Sequence, residues 1–266
     1  MAAHLTLYLT PEVFFCSDSL ADSGIERFVT NTCTSMAANL KAFFMAHPQW
    51  AQTAYENVDV LIETERYTLV PLSFYETDKA EAWFEATMER QEEELISSNM
   101  LPRCDTACVF AIDRFVRSRI LELFPDASIR CHTTASVEHF ASLNRSEGLT
   151  ELYVYLSGCR VYAYAYRRGE LLTAPAFHAQ SIDDVIYFIL SLFRGTELDE
   201  RTHALYLTGK SPFMEEAVAR AGKFVREVHE LPFIDMGYFM ATHPMQKQQS
   251  DEKVAKEYPI SHNPTT

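Results

Sequence analysis

The sequence predicts an α/β protein built from two related halves. Each half opens with a group of antiparallel strand patterns and then alternates strand and helix patterns, as expected for a sheet covered by helices. In the second half, five tyrosines alternate with aliphatic residues in "LYVYLSGCRVYAYAYRRGELL". Such alternation is typical of strands, because successive side chains point to opposite faces. Turn chemistry at Ser157-Gly158 and Arg168-Gly169 divides this stretch into a three-stranded antiparallel meander.

The first half contains two predicted strand pairs, in "HLTLYLTPEVFFCSDSL" and "VDVLIETERYTLVPLSFY", and the first pair is broken at Thr10-Pro11-Glu12. Helices are expected in "MAANLKAFFMAHPQW" and in "DKAEAWFEATMERQEEEL", the second with Asp78 as N-cap and Glu81 three residues on. The rest of this half is predicted as the strand "CDTACVFAID", the helix "RFVRSRILELF", the strand "ASIRCHTT" and the helix "SVEHFASLN".

The second half begins after the polar segment "RSEGL", which we interpret as the boundary. The meander leads into the helix "SIDDVIYFILSLFRG", where Ser181 and Asp184 have capping-box spacing. A strand in "HALYLTG" precedes the helix "SPFMEEAVARAGKFVREV", with Ser211 as N-cap and Pro212 at the first helical position. The strand "ELPFID" and the short helix "MGYFMATH" follow. The predicted domains are residues 1–147 and 148–243, followed by a polar tail at 244–266.

Composition narrows the function classes. The net charge of −14, without a cluster of Lys and Arg, argues against a nucleic-acid partner. No apolar run is long enough to span a bilayer, so membrane insertion is not expected, and the N-terminus does not resemble a signal peptide. Six scattered cysteines are typical of free thiols in a reducing compartment. We therefore expect a cytoplasmic protein.

The repeated outline β-β-β-α-β-α-β-α resembles the actin-like ATPase superfamily, with its ribonuclease H-like fold. That superfamily includes sugar kinases, heat-shock chaperones and the cytoplasmic assembly proteins of type IV pili. The resemblance covers most of residues 4–243, and its closest motif is Leu207-Thr208-Gly209, which matches the adenosine-contacting strand end. It implies two subdomains, each with a mixed five-stranded sheet flanked by helices. The chain is identified as a member of an uncharacterised bacterial family with this fold.

The phosphate-binding turns of the superfamily are degenerate here. In the first turn, Pro11 removes a backbone donor and Glu12 adds negative charge. In the second, Tyr155 stands at the place of an aspartate, and Gly158 is the one glycine that remains of the family's run. The chain has eight glycines but no Gly-Gly or Gly-x-Gly, although phosphate loops require close backbone approach. We therefore predict a pseudo-ATPase without a cofactor, which binds an unidentified protein partner as a scaffold.

Bulky side chains are expected to fill the space left by the phosphates and to lock the halves together. The predicted cleft-filling residues are Pro11, Glu12, Tyr155 and Cys159. Tyr155 carries most of this hypothesis, because a phenol adds volume and can hydrogen-bond across the gap. Alternatively, Tyr155 points into the core of its own subdomain. Of the two faces of the meander, we expect one to meet helices and the other to meet solvent or a partner.

A divergent ATP-dependent phosphotransferase, similar to sugar kinases and using ATP and Mg²⁺, is the alternative function. In that case Asp113 is the candidate base, and the nucleotide would lie near Ser157, Gly158, Thr208, Gly209 and Lys210. Asp113 is explained equally well as the N-cap of the following helix, and Lys210 as a solvated turn residue.

A metal site could be formed by Cys104 and Cys108 together with Cys131 and His132. Zinc sites generally need a second closely spaced ligand pair, which the sequence lacks. No metal is predicted.

Overall fold

A computed structural model describes residues 3–20, 25–147 and 150–232 of the chain. The strands in these residues are β1 (His4–Leu9), β2 (Val13–Asp18), β3 (Ile25–Val29), β4 (Asn57–Ile62), β5 (Tyr67–Pro71), β6 (Glu94–Leu101), β7 (Thr106–Asp113), β8 (Ser128–Cys131), β9 (Thr150–Ser157), β10 (Arg160–Arg167), β11 (Glu170–Thr173), β12 (Ala176–His178), β13 (Ala204–Lys210) and β14 (Val228–Glu230). The α-helices are α1 (Met36–Ala46), α2 (Pro48–Gln52), α3 (Ala80–Glu85), α4 (Arg114–Leu123), α5 (His132–Glu147), α6 (Ile182–Gly195) and α7 (Met214–Ala221).

Two of the sheets repeat one topology. The first has the order β3-β2-β1-β4-β8, in which β1 to β3 are antiparallel and β1, β4 and β8 are parallel. The second has the order β11-β10-β9-β13-β14, again with an antiparallel meander that continues into three parallel strands. The predicted mixed five-stranded sheets are confirmed, and β12 adds a sixth strand to the second sheet by pairing with β10.

A third sheet, with the order β5-β7-β6, was not predicted. The strand pair expected after Val58 is divided, because β4 joins the first sheet whereas β5 pairs with β7. The long acidic helix expected from Asp78 is wrong: α3 has six residues, no side chain caps it, and β6 begins at Glu94. All eight residues of β6 pair with β7, so the hydrogen-bonded ladder overrides the helical propensity of this segment.

Helix boundaries agree with the sequence in one case and differ in two. The capping box of Ser181 and Asp184 at α6 is confirmed. The expected N-cap at Ser211 is wrong, because α7 begins at Met214 and the Ser211 hydroxyl instead donates to the Gly158 carbonyl at 2.6 Å. Helix α5 begins at His132, within the segment predicted as a strand. The expected helix at 237–243 and the tail at 244–266 lie outside the described residues.

The tyrosine meander is confirmed, but the prediction that one of its faces meets solvent is wrong. The aliphatic face, with Leu152, Val154 and Val161, packs against apolar residues of α6 and α7. The tyrosine face is also buried, and it joins the core cluster of the first half. Its members are at most 3% exposed: Tyr153, Tyr155, Tyr162, Tyr164 and Tyr166. The tyrosines therefore form the contact between the two halves.

The halves remain separate in their strand pairing. β9 and β10 pair with each other and with strands of the second half, and not with a described strand of the first sheet. The exact boundary at 147/148 stays a prediction, since residues 148–149 are outside the described part. Among the described helices, none is both long enough and apolar enough to span a membrane.

Gly209 holds β13 close to β9 and allows a substitution test. It has φ +116°, and a Cβ there would lie 2.1 Å from the Leu156 carbonyl oxygen, which is backbone and cannot rotate away. Gly209→Ala is therefore expected to lower the free energy of unfolding by about 3 kcal/mol or more, measured by denaturant titration.

Gly195→Ala is the matched control for this prediction. A Cβ at Gly195 meets nothing within 4 Å, and the residue is helical. Its free energy of unfolding should stay the same or rise by up to about 1 kcal/mol. Equal effects of the two substitutions would contradict the assigned role of Gly209.

Candidate functional site

The turns that end β1 and β9 meet between the two halves. The β1–β2 turn closes on itself: the Val13 amide donates to Thr10 Oγ1 at 3.0 Å, and Thr10 Oγ1 donates to the Val13 carbonyl at 2.8 Å. This turn presents Glu12, whose Oε1 lies 3.8 Å from the position of a Cβ on Gly158. Gly158 has φ +57°, a conformation that glycine adopts at low cost in a two-residue hairpin. Glu12 thus lies directly over the opposite turn.

Arg160 connects the halves through two carboxylates. Its Nη1 donates to Glu12 Oε1 at 2.9 Å, and its Nη2 donates to Glu12 Oε2, so this pair is bidentate. Its Nε donates to Glu63 Oε1 at 2.8 Å. Arg160 follows the β9–β10 turn, whereas Glu12 and Glu63 follow β1 and β4 of the first sheet. We call Glu12, Glu63 and Arg160, with the tyrosines bonded to Glu63, the interlobe network.

Two tyrosine hydroxyls complete the interlobe network around Glu63. Tyr162 Oη donates to Glu63 Oε1 at 3.1 Å, and Tyr8 Oη donates to Glu63 Oε2 at 3.2 Å. The Glu63 side chain is 0% exposed, and the Arg160 side chain is 9% exposed. Both Glu63 oxygens therefore have donors, which a buried carboxylate requires. One donor comes from β1 of the first half and two come from β10 of the second.

The interlobe network shifts the pKa values of Arg160 and Tyr162. Burial tends to lower the pKa of Arg160, but the hydrogen bond that it donates to Glu12 and the charge of Glu63 outweigh this effect, so the pKa lies above its ordinary value. Burial raises the pKa of Tyr162, and the charge of Glu63 raises it further. The guanidinium therefore stays charged and the phenol stays neutral, which keeps the donor roles in the interlobe network fixed.

The predicted cleft-filling residues occupy different positions. Tyr155 is 3% exposed and belongs to the core cluster shared by the halves. It hydrogen-bonds with Tyr8 of the first half, an interaction that contributes to the raised pKa of Tyr8 after burial and the charge of Glu63. Pro11 and Cys159 are exposed, so they do not occupy the gap. Glu12 has a side chain that is 48% exposed and covers the gap at its rim.

The residues proposed to contact a nucleotide lie at adjacent ends of β9 and β13. The Gly158 amide donates to the Lys210 carbonyl at 2.9 Å, and Gly209 pairs with Leu156. Ser157 pairs with Lys210, whose side chain is exposed. Thr208 is buried, and its hydroxyl donates to the Pro232 carbonyl at 3.2 Å. The structure thus brings together four of these residues, with Thr208 turned to a separate partner.

This arrangement does not fit the polyphosphate of ATP and its Mg²⁺. Phosphate turns need free backbone N–H groups, but here the Gly158 amide and the Val13 amide already have acceptors, and Pro11 has no N–H. Two carboxylates, Glu12 and Glu63, bind Arg160 beside these turns, and their negative charge would repel a phosphate. A single guanidinium is shared between them.

Asp113 lies in the inserted part of the first half, at the end of β7. Its Oδ1 accepts the amides of Phe115 at 2.8 Å and Val116 at 2.9 Å, so it is the N-cap of α4. It also lines a cavity of ≈ 380 Å³ between the first and third sheets, which we call the acidic groove. Apolar side chains such as Ile62, Ile112 and Val116 line it together with carboxylates. The acidic groove is the candidate binding surface of this half.

The cysteine cluster is buried. Cys108 and Cys131 are 0% exposed, and Cys131 Sγ lies 3.9 Å from Nδ1 of the adjacent His132. Cys104 lies outside this contact, in the short 3₁₀ turn before β7. Within the described residues, no three His, Cys, Asp or Glu side chains are grouped so that they could hold a metal ion.

Sequence reasoning missed the central members of the interlobe network, Glu63 and Arg160. One signal was present: Arg160, Tyr162 and Tyr164 share one strand face by alternation, and a cation in a buried row requires a carboxylate partner. The partner could not be found from the sequence, because Glu63 is 97 residues away and follows an ordinary apolar strand.

Arg160→Met should expose how strongly the interlobe network stabilises the protein. It removes the cation and leaves Glu63 buried with tyrosine donors alone. The expected loss in the free energy of unfolding is about 3–5 kcal/mol, measured by denaturant titration. Combining it with Glu63→Gln should restore much of this loss, since the second change removes the unpaired charge.

Arg220→Met is the control, because Arg220 forms exposed ion pairs with Asp183 and Glu216. Exposed pairs contribute little, so its stability should be nearly that of the wild type. Additive losses in the Glu63→Gln, Arg160→Met double variant would contradict a coupled interlobe network.

Comparisons with known proteins agree with this fold. A structure from Bacteroides thetaiotaomicron VPI-5482, described as a protein with an actin-like ATPase fold and unknown function, matches with a TM-score of 0.84 and 25% identity, over 90% of this chain and 95% of that chain. The PilM–PilN type IV pilus biogenesis complex matches with a TM-score of 0.61 and 11% identity, over 86% of this chain and 88% of the matched chain. No curated protein matches the sequence.

A family model described as "Protein of unknown function (DUF3822)" matches residues 14–228. This match spans most of the chain and includes strands of both repeated sheets. The chain therefore belongs to the DUF3822 family, and its fold is that of the actin-like ATPases.

Proposed function

We propose that this chain is a non-catalytic actin-fold protein that serves as a docking platform for a protein partner. The observation that carries the proposal is the interlobe network, in which Arg160 of the second half binds Glu12 and Glu63 of the first. In this proposal, an internal ion-pair network takes the place of nucleotide phosphates as the link between the halves.

The physical argument concerns what sets the angle between the halves. A bound ligand favours a closed state only through contacts that differ between the open and closed states. Here the side chains of the protein itself supply such contacts. The Tyr8–Tyr155 hydrogen bond and the buried tyrosine face add to them. A platform with one fixed geometry follows, since opening would leave Glu63 and Arg160 without partners.

The acidic groove is the proposed docking surface. Of its carboxylates, Glu94 pairs with Arg66 and Glu93 pairs with Arg114, whereas Glu92 has no ion-pair partner among the described residues. An apolar lining with unbalanced negative charge is complementary to a protein segment that carries basic and apolar side chains. The PilM–PilN complex supports the idea that an actin fold can bind a partner protein.

Thermal unfolding with ATP and Mg²⁺ tests the proposed absence of nucleotide binding. We expect no shift of the melting temperature at millimolar ATP and Mg²⁺, because the Gly158 and Val13 amides already have acceptors and Pro11 has no N–H. A ligand at one hundred times its dissociation constant would stabilise the native state by about 2.7 kcal/mol, which is easily measured.

A melting-temperature rise with ATP and Mg²⁺ that disappears in Lys210→Ala would overturn this proposal in favour of the divergent phosphotransferase. Magnesium alone serves as the control, because a shift with the ion alone does not report nucleotide binding.

Glu92→Lys tests the acidic groove. Both Glu92 and Glu215 are exposed, but Glu215 lies on α7 of the second half. Tagged wild-type protein and the Glu215→Lys control should retain the same partner from lysates of the cells that produce it. Glu92→Lys should lose that partner, because like charges then face each other. Equal retention by all three proteins, or retention of nothing by the wild type, would contradict docking in the acidic groove.

A further inference from the structure

The first sheet has a second buried face, opposite the one that carries Leu7 in the large core cluster. Strand register places Phe15, Tyr8, Leu61 and Arg130 side by side on this face, across β2, β1, β4 and β8. The rings of Tyr8 and Phe15 stack with their centroids 5.8 Å apart. Leu61 is 0% exposed, Tyr8 is 2% exposed and Arg130 is 4% exposed. We call these four residues the first-sheet row.

The described helices account for little of this burial. The buried apolar residues of α1 and α4 belong to the large core cluster on the opposite face. In the apolar cluster around Tyr8 and Leu61, the one residue from a described helix is Ala135 of α5. A single methyl group is too small to cover a row that crosses four strands about 4.8 Å apart. The first-sheet row therefore needs a further covering element.

The repeated topology indicates where that element comes from. Helix α5 directly follows β8, the last strand of the first sheet, and it covers the tyrosine face of the second sheet. Its Phe140 stacks on Tyr153 with ring centroids 4.9 Å apart, and its Val137 carbonyl accepts the Tyr166 hydroxyl at 2.7 Å. Because both sheets have the same strand order, the chain that follows β14 is in the corresponding position to cover the first sheet.

The chain leaves β14 on the side that faces the first half. Leu231 packs against the core cluster that the two halves share. The Pro232 carbonyl accepts the Thr208 hydroxyl at 3.2 Å, and Thr208 pairs in register with Tyr155 of the tyrosine face. Tyr155 in turn hydrogen-bonds with Tyr8 of the first-sheet row. The residues after Pro232 therefore start within reach of this row.

The sequence that follows Pro232 suits burial against an apolar face. Residues 233–243, "FIDMGYFMATH", contain one formal charge, at Asp235, and Pro244 follows them. Their apolar members are Phe233, Ile234, Met236, Tyr238, Phe239, Met240 and Ala241. As a helix, a segment of this length would extend about 16 Å, which matches the width of four neighbouring strands, about 14 Å.

We propose that residues 233–243 return to the first half and cover the first-sheet row. Each half then covers a sheet of the other: α5 crosses from the first half to the second, and residues 233–243 cross in the reverse direction. The C-terminal segment is thereby a structural part of the first half and not a tail of the second. This inference is independent of the proposed docking function, because it concerns the face opposite to Leu7 and does not involve the acidic groove.

Photo-cross-linking from position 15 of the full chain tests the proposal. Phe15→p-benzoylphenylalanine, after irradiation and proteolysis, should give a cross-link to a peptide within 233–243 in the monomer band. The same replacement at Phe177 is the control, because this partly buried ring stacks on Phe188 of α6 with centroids 4.3 Å apart. It should react with α6 and not with 233–243. If position 177 gives its cross-link and position 15 does not reach 233–243, the proposal is overturned. Cross-links from position 15 to 233–243 found only in a dimer band overturn it in favour of a second copy as the occupant.

Hydrogen exchange of the wild-type full chain gives a second measurement that needs no substitution. Amides in 233–243 should exchange at least about a hundredfold more slowly than those in 250–260, because a segment packed on the first sheet is protected. Phe15→Ala should speed exchange in 233–243 about tenfold, whereas Phe177→Ala should leave it unchanged. Equal exchange of 233–243 and 250–260 in the wild type, or equal effects of the two substitutions, overturns the proposal.

Discussion

The contact between the halves depends on the buried guanidinium of Arg160. A cation that is 9% exposed is stable only when carboxylates and hydrogen bonds compensate for its lost hydration. Both carboxylates come from the other half, so the second half cannot satisfy Arg160 by itself. The buried carboxylate of Glu63 likewise needs donors from the other half: one of its donors lies on β1, but the other two lie on β10. The electrostatic requirement of each half is therefore met only when the two halves are in contact.

The tyrosine face explains how such polar groups are accommodated in an apolar interface. Each ring buries a large apolar area, while its hydroxyl can reach a polar partner. Tyr162 reaches Glu63, and Tyr166 reaches the Val137 carbonyl of α5. A row of phenylalanines would bury similar area but would lack these hydroxyl donors. The alternation seen in the sequence is thus an adaptation to a face that packs on another subdomain.

The third sheet separates this chain from a simple repeat of two sheets. Its strands come between β4 and β8 in the chain, and Glu63 is the first residue after β4. Glu63 is therefore common to both regions: its buried carboxylate binds Arg160, and the residue also belongs to the wall of the acidic groove. The acidic groove and the contact between the halves are therefore adjacent in the structure.

The sequence alone determined the α/β class, the duplicated outline, the tyrosine meander with its two turns, and the absence of Gly-Gly and Gly-x-Gly motifs. Those features depend on local periodicity and on backbone positions that only glycine can occupy without strain. Gly209 occupies such a position. The tertiary structure decided that β5, β6 and β7 form a sheet of their own, since strand partners are not encoded by periodicity. It also decided that Arg160 and Tyr155 contact the first half and that Cys159 and Pro11 remain exposed. Contacts across 97 or 148 residues depend on how the two sheets pack, and no local pattern records them.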